Sequence, residues 1–256
     1  MPRSISLPPD QGYPGTQSIG RAVHLLRCIA SHGRRGLRID DIVQMSGLSK
    51  TTCVRVLRRL LAEGLVAKDA RTEKFYLGAL LSELGLLVRP SHQLEALCDE
   101  ALQTLADVTH DTIYLSECSG HEAVCTARRL GDYPIKVLTL DIGVRRPLGV
   151  GPGGLALLAA MPQAQRLAAI AANAALYIGY GGLTERRVAK QVADTVARGF
   201  YAGPSFGVRG TCTVSMGFCV GAAIGALSVS ALADRMPAKR QEQVARLLER
   251  QIASLC

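Results

Sequence analysis

From Ser18 the apolar positions fall at helical spacing: Ile19, Ala22, Val23, Leu26, Ile29 and Ala30 share one side, and Ser31-His32-Gly33 stops the run. After a turn at residues 34–36, a short second helix puts Ile42, Val43 and Met45 inward and ends at Ser46-Gly47. Ser49 is a good N-cap, because its hydroxyl can take an N–H that the next turn leaves without an acceptor. A third helix follows from about Lys50 to Ala62. Its apolar stripe is Cys53, Val54, Leu57, Leu60 and Leu61, and its other side carries Thr51, Thr52, Arg55, Arg58 and Arg59. The period then shortens. Leu65–Ala67 and Phe75–Leu77 read as two strands, and the polar stretch from Lys68 to Lys74 joins them as a hairpin. Residues 79–88 form one more helix, which Arg89-Pro90 closes.

The remainder mixes both periods. A helix over 92–109 has the stripe Leu94, Leu97, Ala101, Leu105 and Val108. Strands are predicted over 112–118, 123–129 and 135–140. A glycine-rich loop, Gly149 to Gly154, opens a helix through Ala160, and an alanine-rich helix covers about 163–175. Another spans about 184–198, with Val188, Val192 and Val196 inward, and two or three strands fill 200–231. A final amphipathic helix, about 237–254, carries Val244, Leu247, Leu248 and Ile252. Strands with helices at both ends predict an α+β domain on a largely antiparallel sheet. Gly210 to Ala233 is the longest stretch without a charge, but its hydroxyls, four glycines and period of two make it paired strands and not a membrane span.

Composition adds limits. The chain has 256 residues, 48% hydrophobic and 20% charged, which suits one or two globular domains. Tryptophan is absent, so the core must be built from aliphatic side chains. Residues 1–17 are rich in Pro, Gly, Ser and Gln and read as a flexible tail with no apolar signal segment, so a cytoplasmic location is expected. The eight cysteines form no C-x-x-C pair and read as small buried hydrophobes. Cys118, His121 and Cys125 match no common zinc spacing, so neither metal nor cofactor is expected.

Charge is the first sign of a partner. The net charge is +9, of which residues 1–90 (14 Lys and Arg against 7 Asp and Glu) carry +7. A basic excess confined to one third suits a polyanion. Three helices followed by a basic hairpin also make a winged helix-turn-helix over residues 18–78, linked by the helix of 79–90 to a second domain over 91–256. The apolar stripe and Leu48 pin the third helix on the first. Ser49, Lys50, Thr51, Thr52, Arg55 and Arg59 are then left where a recognition helix meets a duplex, and Arg55 is long enough to reach a guanine edge. Lys68, Arg71 and Lys74 on the wing would meet phosphates or the minor groove.

At these residues the chain resembles the IclR-type bacterial transcriptional regulators. SIGRAVHLLRCIA, IDDIVQMSGLSKTTCVRVLRRLLAEGLVAKD and FYLG carry the likeness in the first part. RRPLGVGPGGLALLAAMP, VARGFYAGPSFGVRG and AAIGALSVSALADRM carry it in the second. The resemblance implies a linker helix and a C-terminal effector-binding domain with a GAF- or profilin-like sheet. It implies a homodimer, often a dimer of dimers, that binds double-stranded operator DNA under control of a small organic effector, commonly a carboxylate or an aromatic acid. Matched by motif, the effector residues would be Gly151, Pro152, Gly153, Cys212, Ser228 and Ser230. The chain departs from the pattern at Tyr201–Ser205, where the family often has carboxylates, and at Gly149-Val150-Gly151, where it often has a His- or Ser-rich lead. Both changes predict a less polar pocket.

The residues themselves support part of this. A period of two puts Ser228 and Ser230 on one face with Ile224 and Ala226, while Leu227 and Val229 point the other way. Helix-start N–H groups after Gly151-Pro152-Gly153-Gly154 suit an anion, although those glycines could equally serve close packing. No Lys-Ser/Thr follows, so the loop is not a nucleotide P-loop. None of His24, His32, His92, His110 and His121 lies in a recognisable catalytic motif, and no enzymatic activity is expected. The alternative class is a cysteine-dependent enzyme or redox sensor on the same scaffold, using Cys118, Cys125 or Cys212. A dimerisation module without a ligand is a third reading.

Overall fold

Among the described residues, four helices and a short antiparallel ribbon make up the first of two units, Met1–Arg89 and Pro90–Cys256, into which a computed structural model divides the chain. The structure describes residues 16–32, 35–87 and 94–255. The tail expected over 1–17 therefore lies almost entirely outside the described residues, as do His92 and the end of the expected linker helix.

In the first unit, helices α1 (Gln17–Ala30), α2 (Ile39–Ser46) and α3 (Lys50–Ala62) surround Leu25, Cys28, Ile29, Ile42, Met45, Cys53, Leu57 and Leu60, all buried. Burying each large aliphatic side chain is worth roughly 1.5–3 kcal/mol, which explains why Ile42, Met45, Cys53, Leu57 and Leu60 of the stripes read from the sequence become the interior. The α1 stripe is off-centre, with Leu25 and Cys28 joining Ile29 inside, Ala22 and Leu26 only partly buried, and Ile19 and Val23 exposed. Gly47 closes α2 with φ +66°, a left-handed conformation that costs glycine nothing and turns the chain sharply into α3. Strands β1 (Val66–Lys68) and β2 (Phe75–Leu77) form the wing, and the Leu37 backbone pairs with Phe75 on its other edge. Helix α4 (Ala79–Leu86) buries no side chain, and Leu86 and Leu87 are more than 80% exposed.

The second unit is one antiparallel sheet between two helical layers. Its strands are β3 (Thr112–Ser119), β4 (Glu122–Leu130), β5 (Arg145–Pro147), β6 (Tyr201–Pro204), β7 (Thr211–Val220) and β8 (Ala223–Leu232), in the order β5-β4-β3-β8-β7-β6. Helices α5 (Leu94–Leu97), α6 (Asp99–Thr109) and α10 (Ala238–Ala253) cover the face of Ile113, Leu115, Val214, Leu227 and Val229. Helices α7 (Gly151–Ala160), α8 (Gln163–Tyr177) and α9 (Glu185–Arg198) cover the other. Gly217 lets α7 lie directly on β7, since a Cβ there would sit 2.2 Å from the Ala156 carbonyl oxygen. The charge-free stretch is indeed a strand pair, β7 and β8. Among the described residues no helix is long and apolar enough to cross a membrane.

Several expectations fail in detail. Residues 135–140 form no strand: the edge of β4 is taken by β5, and the Tyr114 hydroxyl holds the segment instead. The helix expected over 92–109 is broken at Cys98 into α5 and α6, and its interior is lined by Cys98, Leu102 and Ala106 along with Leu94, Ala101 and Leu105. The buried stripe runs through Leu94, Cys98, Leu102, Leu105 and Thr109, which leaves Leu97 and Val108 at its margin and exposed, and Val196 on α9 is also exposed.

Candidate nucleic-acid interface and ligand cavity

The exposed side of α3 carries Lys50, Thr51, Arg55, Arg58 and Arg59, while Cys53, Leu57 and Leu60 hold the opposite side in the core. Lys50, Thr51, Arg55, Arg58 and Arg59 line one shallow concavity with Val54 and Ala62. Ser49 spends its hydroxyl on the helix start, accepting from the Thr52 N–H at 3.3 Å and pairing with the Thr52 hydroxyl at 2.9 Å. These two residues thus shape the N-terminus of α3, and Thr52 is half-buried. Lys50 bridges to Asp40 at 2.8 Å and Arg59 to Glu63, both at exposed positions where such pairs are weak.

The wing is less open than its sequence suggests. Lys68 pairs with Glu73 and lies over the Phe75 ring, and Lys74 donates to the Arg35 carbonyl at 3.0 Å. Arg71 stands exposed at the tip, where Asp69 caps the turn by accepting from the N–H groups of Arg71 and Thr72. Those bonds hold the Asp69 carboxyl below its usual pKa. His24 is buried behind this face. Its Nε2 donates to the Ser46 carbonyl at the α2–α3 turn, which leaves Nδ1 buried with no partner among the described residues. Burial holds its pKa below the ordinary imidazole value.

In the second unit a cavity opens between the sheet and the first turn of α7. Tyr114, Ser116, Thr213, Ser228 and Ser230 line it from the sheet, and Val150 to Gly154 from the helix start. Thr139, Leu140, Arg146 and Phe206 close the rim. Its free volume is about 40 Å³, room for about three water-sized groups. Buried hydroxyls run across its floor. Ser205 meets Thr213 at 2.7 Å, and Thr213 meets Ser230 at 2.8 Å. Beside them Ser228 meets Ser215 at 2.7 Å, and Ser215 also reaches the Leu227 carbonyl at 3.3 Å. Gly153 is bare for steric reasons, since a Cβ there would lie 2.8 Å from the Ser116 hydroxyl oxygen.

Gly151, Pro152, Gly153, Ser228 and Ser230 therefore meet around one cavity, but Cys212 does not join them. The alternation of β7 sends Thr213 to the cavity and Cys212 to the opposite face, where it packs under α10 with Gln241 Nε2 3.8 Å from its sulfur. Among the described residues the cavity's polar groups are Arg146 and the hydroxyls of Tyr114, Ser116, Thr139, Thr213, Ser228 and Ser230. A period of two through β3 could have found Tyr114 and Ser116, and Arg146 lies inside the quoted RRPLGVGPGG run. Phe206 lies inside the VARGFYAGPSFGVRG run, but no periodicity there marks it as a cavity residue. The thiols fit sensor or nucleophile chemistry poorly: burial pushes Cys125 up to about 12 and raises Cys118 and Cys212.

Comparison with known proteins follows this division. The family model described as the IclR helix-turn-helix domain matches residues 18–70. The HTH-type transcriptional regulator TtgV of Pseudomonas putida is 25% identical over 199 residues, spanning 78% of this chain and 75% of its own. The crystal structure of an IclR family transcriptional regulator from Brucella abortus superposes with a TM-score of 0.74 at 18% identity, over 96% of this chain and 93% of that one. That of an IclR homolog from Microbacterium hydrocarbonoxydans, complexed with 4-hydroxybenzoate, gives 0.69 at 19% identity over 93% and 97%. At such identities the two structures speak for the fold.

Proposed function

With the chain a member of the IclR-type transcriptional regulators, we propose that α3 reads double-stranded operator DNA and that a small organic acid in the second unit sets the operator affinity. The observation that carries the reading is the exposed basic and hydroxylic face of α3, rigidly capped at Ser49 and backed by a closed core. In this reading Arg55 takes a base edge, Lys50, Thr51 and Arg59 meet backbone or base, and Arg71 leads the wing contacts. Lys68 and Lys74 contribute positive potential near phosphates. Exposed Leu84, Leu86 and Leu87 on and after α4 supply an apolar surface for a second copy of the chain, which would pair two reading heads on two half-sites. Such a regulator works in the cytoplasm, beside the DNA it reads.

The effector acts by linkage: an acid that binds one conformation of the dimer better than the other shifts the population that fits the operator. Cavity hydroxyls and the α7 N-terminus support an acid as the class, and the 4-hydroxybenzoate held by the Microbacterium relative makes that compound a first probe. The test is anisotropy titration with duplexes selected from a random pool, at several salt concentrations, with and without organic acids. Binding that weakens with salt and responds to an acid supports the reading. Absence of complexes at low ionic strength sinks the DNA part. An operator affinity that ignores every acid sinks the effector part and leaves a dimerisation module.

A further inference from the structure

We propose that residues 134–142 form a hinged strap across the mouth of the cavity, and that this strap swings out to admit a molecule larger than the closed space. The proposal rests on the effector reading and adds the route by which the effector enters. The closed cavity has about 40 Å³ of free volume, whereas a cavity that takes a benzene ring measures about 150 Å³. A ring-sized guest therefore enters only if a wall moves. The floor is tied down, since β3 is paired on both edges and β7 pairs with β8 over ten residues. The start of α7 is wedged against that floor, with no room for a Cβ at Gly153 beside Ser116. The rim at Thr139 and Leu140 is fastened differently.

Residues 134–142 belong to no helix or strand. Both ends are anchored by the backbone: the Gly131 and Tyr133 N–H groups donate to the Asp111 and His110 carbonyls, and the Gly143 N–H donates to the Cys125 carbonyl. Between these ends, among the described residues, no backbone–backbone bond ties the strap to a strand, and side chains hold it instead. The Tyr114 hydroxyl is the central latch. It donates to the Val137 carbonyl at 2.8 Å and accepts from the Thr139 N–H at 3.0 Å. Arg128 donates to the Leu140 carbonyl at 3.1 Å and to Asp141 at 3.3 Å, and Arg146 donates to the Thr139 carbonyl at 3.2 Å. Apolar burial adds little: of the strap's side chains only Val137 is buried, while Ile135, Leu138 and Ile142 are more than half exposed. A segment with firm ends and few buried apolar contacts opens locally at far lower cost than unfolding the whole unit. The latch then governs the rate at which a guest enters and leaves.

Cys125 is a built-in reporter. It pairs with Ser116 of the cavity floor, so its thiol lies on the side that the strap covers, and it is 1% exposed. Cys98, sealed on the opposite face of the sheet, reports unfolding of the whole unit. The full chain is alkylated with iodoacetamide and each cysteine is followed by mass spectrometry. Cys125 should react at least about tenfold faster than Cys98, because local opening exposes it. Arg128→Met keeps every cavity-lining residue and removes the bonds to Leu140 and Asp141. It should speed Cys125 about fivefold, the scale of one lost hydrogen bond, and leave Cys98 unmoved. Tyr114→Phe, which removes the central latch, should speed Cys125 at least as much. Saturating 4-hydroxybenzoate should slow Cys125 in the wild type, since a guest favours the closed strap. Cys125 reacting no faster than Cys98, or equal acceleration of both thiols in Arg128→Met, overturns the proposal. Binding of 4-hydroxybenzoate while Cys125 stays as slow as Cys98 overturns it too, for the guest then enters elsewhere. If the strap opens as described and neither 4-hydroxybenzoate, benzoate nor acetate slows Cys125 or moves operator affinity, the strap stands and the effector reading fails.

Discussion

The polar groups of α3 and those of the cavity stand in opposite surroundings. On α3, Lys50, Arg55, Arg58 and Arg59 stand in water, their pairings are exposed, and removing any of them costs the fold little. In the cavity, Thr213, Ser215, Ser228 and Ser230 are almost fully buried, and each has a partner. A buried hydroxyl without a partner costs about 1–3 kcal/mol, so these groups had to satisfy one another before they could serve a ligand. Under the proposed function, recognition of a duplex would thus be laid over a finished domain, whereas recognition of a small molecule would draw on groups that hold the second unit together.

Four measurements press on this contrast. The largest effect is expected for Thr213→Val, which keeps the shape and removes two hydroxyl contacts. It should destabilise the second unit by about 1–3 kcal/mol in urea unfolding, and a loss under 0.5 kcal/mol would mean the row is not structural. Arg55→Ala should do the reverse. It should leave unfolding within about 0.5 kcal/mol of wild type and cost about 1–3 kcal/mol of operator affinity with relaxed base preference; a stability loss as large as the affinity loss would break the comparison. Ser49→Ala lies between the two, since that hydroxyl belongs to the fold. About 1 kcal/mol of first-unit stability should go with it, and operator binding should weaken only in proportion.

The smallest effect concerns acid. His24 is held neutral by burial, with its pKa below the ordinary value of 6.5. The unfolded chain therefore binds a proton that the folded chain refuses, and first-unit stability should fall as the pH drops below about 6.5. His24→Leu should flatten that decline. Burial also lowers the pKa of His32, so part of the slope should remain. A melting temperature for the first unit that stays level from pH 7.5 to pH 5.5 would contradict the assignment.

The helical face of α3 was readable because its two sides differ in kind within a single element, and thirteen residues suffice to show it. The cap at Ser49 and the stop at Gly47 were equally local. Alternation likewise gave the directions of Ser228 and Ser230 from a few residues of β8. Alternation could not say which helix covers which face, and the motif match put Cys212 in the cavity although β7 turns it toward α10. Leu97 and Val108 fit the helical period as well as Cys98 and Thr109 do, and only the packing against the sheet chose the latter side.

Repeating patterns within one segment thus determined most elements, the basic exposed face of α3 and the two-part order of the chain, because such patterns depend on contacts a few residues apart. The cavity belongs to another scale. Tyr114 meets Ser228 only because β3 pairs with β8, and Arg146 meets Phe206 only because β5 and the β6–β7 loop both reach the start of α7. Strand order, register and close packing made those neighbours, and none of these leaves a periodic mark on the chain.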